Sequence, residues 1–199
     1  KRNRMMTYQE RTFSIGTLEG LSEKQITEHL KLYAGYVKNV NAIESELARL
    51  MEDSEKNAIE LSELKRRYAF EWNGMRLHEL YFDALGNAAA LDAATPLAQA
   101  IAKRYGSVEG WMIQAKSMGL MRGIGWVLLV HDKHADALQT IWVSDHEVGH
   151  LAGTDVLLAM DMWEHAFLLD YLPSGKKNYV EAFFANLNWK KIEERFTGK

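Results

Sequence analysis

From residue 26 onward the apolar positions recur every three or four residues. Ile26, Leu32 or Tyr33, Tyr36, Val37 and Val40 keep this spacing, with His29 in step. Such a stripe is one face of an α-helix. Ser22-Glu23-Lys24-Gln25 before it has the form of a capping box, with Ser at the N-cap and Gln at N3. A long helix is therefore predicted over residues 23–52, ended by Asp53-Ser54. A second stripe, Leu61, Leu64, Tyr68, Met75, His78 and Phe82, predicts another helix over 56–85. Gly74 lies inside it, where glycine costs roughly 1 kcal/mol relative to alanine, so a neighbour should need the space. Two long helices joined by a short turn form an antiparallel hairpin. Residues 1–20 lack such periodicity and read as an extended arm punctuated by Gly16 and Gly20.

The second half changes period. After a break over 86–95, ending at Pro96, two shorter helices are predicted over 97–105 and 108–117. Gly123-Ile124-Gly125-Trp126 opens an apolar run over 127–130, read as a strand. His131 to Asp136 then form a polar turn, with His131 and His134 in solvent, and 138–144 is an antiparallel partner strand. A third strand is predicted over 156–160, and residues from 168 onward are helical with a break at Pro173-Ser174-Gly175. The fold class is α+β: an N-terminal helical hairpin (1–90), then a three-stranded antiparallel sheet surrounded by helices (91–199), with a site between them.

The 199 residues, 47% of them hydrophobic, suffice for a real core. The net charge of -3 gives no basic footprint for nucleic acid. The absence of cysteine excludes disulfides, iron–sulfur clusters and cysteine-ligated zinc. There is no apolar run of membrane-spanning length, and residues 1–10 lack the apolar core of a signal peptide. A cytoplasmic protein is the expectation.

The third predicted strand ends in Asp161, and His165 follows four residues later. A carboxylate and an imidazole at such a junction can converge on one metal ion. By spacing alone such an Asp is more often a helix cap, and a His near an apolar face more often a satisfied core residue. The words around it decide more. Asp161-Met162-Trp163-Glu164-His165-Ala166-Phe167 closely resembles the D-x-W-E-H-A-[FY] signature of the iron/manganese superoxide dismutases. That resemblance implies four protein ligands, three His and one Asp, to one Mn or Fe ion per subunit. It also implies superoxide as a small anionic substrate, and a homodimer with Glu164 near the interface.

Carried over residue by residue, the resemblance implies His78 as the second-helix ligand, although the usual Trp-Asn before it is Arg76-Leu77 here. On the first helix Tyr36-Val37-Lys38-Asn39-Val40-Asn41 matches the family's Y-V-x-x-[LV]-N. The family's ligand stands eight residues before that Tyr, which is Glu28 without a gap, whereas His29 precedes Tyr36 by seven. His29 is preferred because imidazole suits iron and manganese, and i, i+7 share a face in a helix without a bulge. Asp161 and His165 complete the implied set. Tyr36 would be the gateway residue and His146 the outer donor that holds metal-bound solvent, filling the space left at Gly74. Trp126 and Trp163 would wall the cavity. The family's usual gateway His and Tyr, which pair across the dimer, are replaced by Leu32/Tyr33 and Leu168. This motivates a second reading, a catalytically altered metal-binding relative.

A competing motif is also present. His146-Glu147-Val148-Gly149-His150 is a literal H-E-x-x-H, which on a helix would be a zinc protease site. Its place between two predicted strands, with Gly149 and Gly153 inside, argues against a supporting helix.

Overall fold

The computed structural model describes residues 7–198. The first six residues of the predicted arm lie outside them. Two long helices lead, α1 (Glu23–Leu50) and α2 (Ala58–Asp83), with a single 3-10 turn at Met51–Asp53 between them. Then come α3 (Pro96–Tyr105), α4 (Val108–Gly119), β1 (Gly125–Asp132), β2 (Ala137–Ser144), β3 (Thr154–Asp161), α5 (Lys176–Ala185) and α6 (Trp189–Thr197). The sheet is antiparallel in the order β2-β1-β3. This is the α+β arrangement expected from the change of period.

α1 buries Ile26, His29, Tyr33, Val37, Val40, Ile43, Leu47 and Leu50, a stripe three or four residues apart along its whole length. It runs without a bulge through His29 and Tyr36. Of the Leu32/Tyr33 pair, Tyr33 turns inward and Leu32 is left 43% exposed. The Tyr33 hydroxyl donates to Glu79 Oε1 at 3.1 Å and accepts from the Arg11 amide at 2.9 Å. Burial, partly offset by that amide and reinforced by Glu79, pushes the phenol up to about 12. α2 buries only its second half, from Glu71 to Phe82. The exit from α2 is tied to the C-terminal helices: Gly86 N donates to Asn186 O, and Asn188 N donates to Ala84 O.

β1 is central and buried almost throughout, hence its continuous apolar sequence. Trp126 pairs with Val143 on one side and with Asp161 on the other. Between Leu129 and Val130 the pairing to β3 shifts by one residue, a β-bulge that leaves Leu157 as the extra residue.

Four expectations need correction. The capping box is half formed. Ser22 Oγ accepts from Gln25 N at 3.1 Å, but the Ser22 amide donates to Asp170 Oδ2 at 2.7 Å rather than to Gln25. His131 is not a solvated turn residue: it belongs to β1, is 9% exposed, packs on Phe196 and lies 3.1 Å from Asp136 Oδ1. Residues 168–172 are turn and coil, not helix, because their backbone is drawn into contacts with α1: Leu169 N donates to Gln25 Oε1 at 3.0 Å. Pro173–Gly175 is a 3-10 turn leading into α5 rather than a break.

Candidate metal centre

Four chain segments meet in one buried spot. α1 contributes His29, α2 contributes His78, and the last residue of β3 contributes Asp161. The 3-10 turn Glu164–Ala166 contributes His165. One donor atom from each lies within 4.8 Å of all the others. Asp161 Oδ2 is 3.1 Å from His29 Nε2, 3.1 Å from His165 Nε2 and 3.6 Å from His78 Nε2. Three of the four side chains are fully buried, and His165 is about one-fifth exposed. Glu28, the alternative on α1, points to solvent and pairs with Lys31 at 2.7 Å. The helix face thus favours the imidazole.

Neighbouring groups fix each donor. His78 Nδ1 donates to Gly74 O at 2.6 Å, which leaves the Nε2 lone pair aimed into the cluster. That Nε2 is buried and has no hydrogen-bond partner, an orphan that a bound cation would satisfy. His29 Nδ1 is likewise unpartnered. Asp161 Oδ1 accepts from the Trp163 amide at 2.8 Å, so Oδ2 is the oxygen turned to the histidines. The Asp161 carbonyl accepts from Tyr179 Oη at 2.6 Å. Burial pushes the His29 and His78 imidazoles below their ordinary value, toward the neutral form a ligand needs. Burial would raise the Asp161 carboxyl, but the charge of His165 and the hydrogen bonds from His165 and His29 hold it well below the usual carboxylate range. Three imidazole nitrogens and one carboxylate oxygen form a donor set suited to iron or manganese.

Beside the cluster lies a second polar pair. Tyr36 Oη is 2.7 Å from His146 Nε2, and Trp126 Nε1 donates to His146 Nδ1 at 2.9 Å. His146 is fully buried, and that burial lowers its pKa to about 4. The Tyr36 ring lies 5.0 Å from that of His78. Trp163 stacks between His146 (4.8 Å) and His165 (5.7 Å). The space beside Gly74 is taken by Tyr36, not by His146. A Cβ at Gly74 would meet Tyr36 Cδ1 and Cε1 at 2.6 Å. The glycine is there for the Tyr36 ring.

The H-E-x-x-H stretch makes no second centre. Ser144 N donates to Val148 O at 2.8 Å and Val148 N to Ser144 O at 3.2 Å, closing a tight loop with Asp145 at φ 49°. His146 points inward from it and Glu147 faces solvent. His150 Nε2 lies 3.0 Å from His146 O, a bond within the loop. The H-E-x-x-H motif displays its two His on one helix face, and residues 145–150 are turn, bridge and coil rather than helix.

The resemblance of the Asp161 to His165 stretch now stands beside a built site, and comparison with known proteins agrees. Residues 93–195 match the family described as iron/manganese superoxide dismutases, C-terminal domain. The chain belongs to the iron/manganese superoxide dismutase family. It is 42% identical to a superoxide dismutase [Fe] of Cupriavidus metallidurans over 90% of both chains. Identity is 32% to a superoxide dismutase [Mn] of Halobacterium salinarum, over 88% of this chain and 86% of that one. It is 33% to a superoxide dismutase [Fe] of Aquifex aeolicus, over 90% and 85%. Relatives of both metal types are therefore similar across nearly the whole chain.

Sequence reasoning missed two supports of this dismutase-family site. Gln25, read as part of a cap, is fully buried. Its amide donates to His165 O at 2.6 Å and accepts from Leu169 N, clamping the turn that carries His165. Phe70 lies 4.6 Å from the His146 ring, under the guanidinium of Arg67 at 4.0 Å. The exposed N-terminal half of α2 gave no apolar signal that would have singled it out.

Proposed function

We propose that this protein is a superoxide dismutase in which His29, His78, Asp161 and His165 hold one iron or manganese ion. The observation that carries the reading is the convergence of three histidines and one carboxylate in a buried spot with an orphaned His78 Nε2. The chemistry the metal supplies when bound is a one-electron couple: one superoxide leaves as dioxygen, and a second gains that electron and, with two protons, leaves as hydrogen peroxide.

The chain's own residues do the rest. Trp163 N holds the Asp161 carboxylate and Tyr179 Oη its backbone carbonyl, and Gly74 O sets the His78 tautomer. Tyr36 and His146 form the hydrogen-bonded pair beside the ligands and handle protons. Trp163 and Phe70 keep bulk water from that pair. Arg67, half-exposed over Phe70, is a cation felt by Tyr36 and His146 and offsets the chain's negative charge for an anionic substrate, though Glu71 shares it.

Metal content and superoxide turnover, measured on one sample loaded in turn with iron, manganese and zinc, test the reading. About one iron or manganese per chain with turnover supports it. Turnover with none of the metals sinks it in favour of an altered, non-dismuting relative.

We further propose a homodimer through the face that bears Glu164. Glu164 is exposed with no side-chain partner among the described residues. Leu32, Leu168 and Leu169 are also exposed near the junction of α1 with the His165 turn. Sedimentation should give twice the 22.8 kDa chain mass, and Glu164→Arg should shift it toward one. A monomer from the unaltered chain would refute this interface.

A further inference from the structure

The segment that carries His165 is almost a helix. Leu168 N donates to Glu164 O at 2.9 Å, and Tyr171 N donates to Phe167 O at 2.8 Å, both of them i→i+4 bonds of the α-helical kind. The bond that would follow the first, from Leu169 N to His165 O, is not made. The Gln25 side chain takes its place: Nε2 donates to His165 O at 2.6 Å, and Oε1 accepts from Leu169 N at 3.0 Å. One side-chain amide is thus inserted into the ladder, and the chain bends beside it, with Phe167 at φ −146°. Gln25 is fully buried, so neither of its polar ends can turn to water instead. It stands four residues before His29 on the same face of α1, and the His29 and His165 rings lie 5.0 Å apart. One helix face therefore carries a ligand and, a turn earlier, the group that fixes the main chain of another.

We propose that Gln25 is a positioning residue: by standing in for the helical bond between His165 and Leu169, its amide holds the turn open at the angle that brings His165 Nε2 to Asp161. Without the amide, His165 O and Leu169 N are left to satisfy each other, as the flanking pairs already do. The segment then closes into a continuous helical turn, and His165 Nε2 is carried off its 3.1 Å approach to Asp161 Oδ2. A neighbouring bond joins the same two segments without touching His165: the Ser22 amide donates to Asp170 Oδ2 at 2.7 Å. It supplies the control, since its loss loosens the seam and leaves the His165 carbonyl held.

This role rests on the ligand set proposed above, and one arm of its test needs no metal. Gln25→Met keeps the length of the side chain and removes both hydrogen bonds. In a crystal structure of the metal-free variant, Leu169 N should lie within hydrogen-bond distance of His165 O, with His165 Nε2 displaced from Asp161. Residues 165–169 in unchanged positions overturn the proposal. Manganese(II) affinity, measured by competition with a chelator, should fall roughly 10- to 100-fold in Gln25→Met and stay within about twofold in Asp170→Ala. An unchanged affinity in Gln25→Met overturns the proposal. So does an equal loss in both variants, which would mean that any loosening of the seam releases metal. If Gln25→Met does not fold, Gln25→Glu decides: an ionised carboxylate still accepts from Leu169 N but meets the His165 carbonyl without a proton to give. Manganese affinity should again fall, and an unchanged value overturns the proposal. An unaltered chain that binds neither iron nor manganese would refute the ligand set instead, and the metal-free crystal structure would still decide the role of Gln25.

Discussion

Two groups of histidine and carboxylate stand within reach of one another in this chain, and they are built in opposite ways. His146, Glu147 and His150 are neighbours in sequence, yet they diverge: one points inward, one into solvent, and the third onto a carbonyl of its own loop. His29, His78, Asp161 and His165 are spread over 136 positions of sequence and converge within 4.8 Å. A short motif acquires chemistry only through the element that displays it. The tight loop closed by Ser144 and Val148 cannot aim i and i+4 side chains at one point, whereas two helices, a strand end and a turn can.

The largest contrast should come from removing one member of each group. Asp161→Ala deletes the charge that faces all three histidines, and bound metal, read by elemental analysis, should fall from about one per chain to near zero. Glu147→Ala should leave metal content and turnover within about twofold, since surface substitutions away from such features are close to neutral. His150→Ala should cost about 1 kcal/mol of stability for its loop bond, again with the metal retained. Retained metal in Asp161→Ala, or lost metal in Glu147→Ala, would invert the comparison. A smaller effect should follow Gly74→Ala. The helix gains roughly 1 kcal/mol in propensity, but the new methyl meets the Tyr36 ring at 2.6 Å, and overpacking costs typically 1–3 kcal/mol. The net expectation is a destabilisation of about 1 kcal/mol in denaturant, with metal kept and kcat lowered as Tyr36 is displaced from His146. An Ala variant more stable and equally active would mean that the space at Gly74 serves nothing.

α1 was legible from its 3.6-residue period and β1 from its continuous apolar run, whereas α2, buried only from Glu71 to Phe82, carries its stripe in its second half alone. Asp161 and His165 were legible because a short contiguous word carries them. His29 was harder. The word that should have placed it, centred on Tyr36, allowed Glu28 as well, and only the burial of the helix face separates the two. Gln25 could not be read, since its partners are His165 and Leu169, 140 and 144 residues away. The occupant of the space at Gly74 was mistaken for a similar reason. A helical glycine announces that something is close, but not whether it is Tyr36 from α1 or His146 from the far loop. Residues 168–172 were expected to be helical, yet Leu168, Leu169 and Leu172 are exposed and the Leu169 amide serves α1 instead.

The bulge between Leu129 and Val130 bears on how this chain can change. On one side of it, Trp126 to Leu129 pair with Asp161 to Leu158 in a fixed register that holds the indole and the carboxylate opposite each other. On the other side, Val130 to Asp132 pair with Val156 to Thr154, near the surface turn. A one-residue slip along an unbroken ladder would rotate every side chain to the opposite face, Asp161 included. With slack already built in at Leu157, residues can be added to or removed from the surface end of the sheet and absorbed at the bulge. The far hairpin is free to drift over generations while the ligand end of β3 is left unturned.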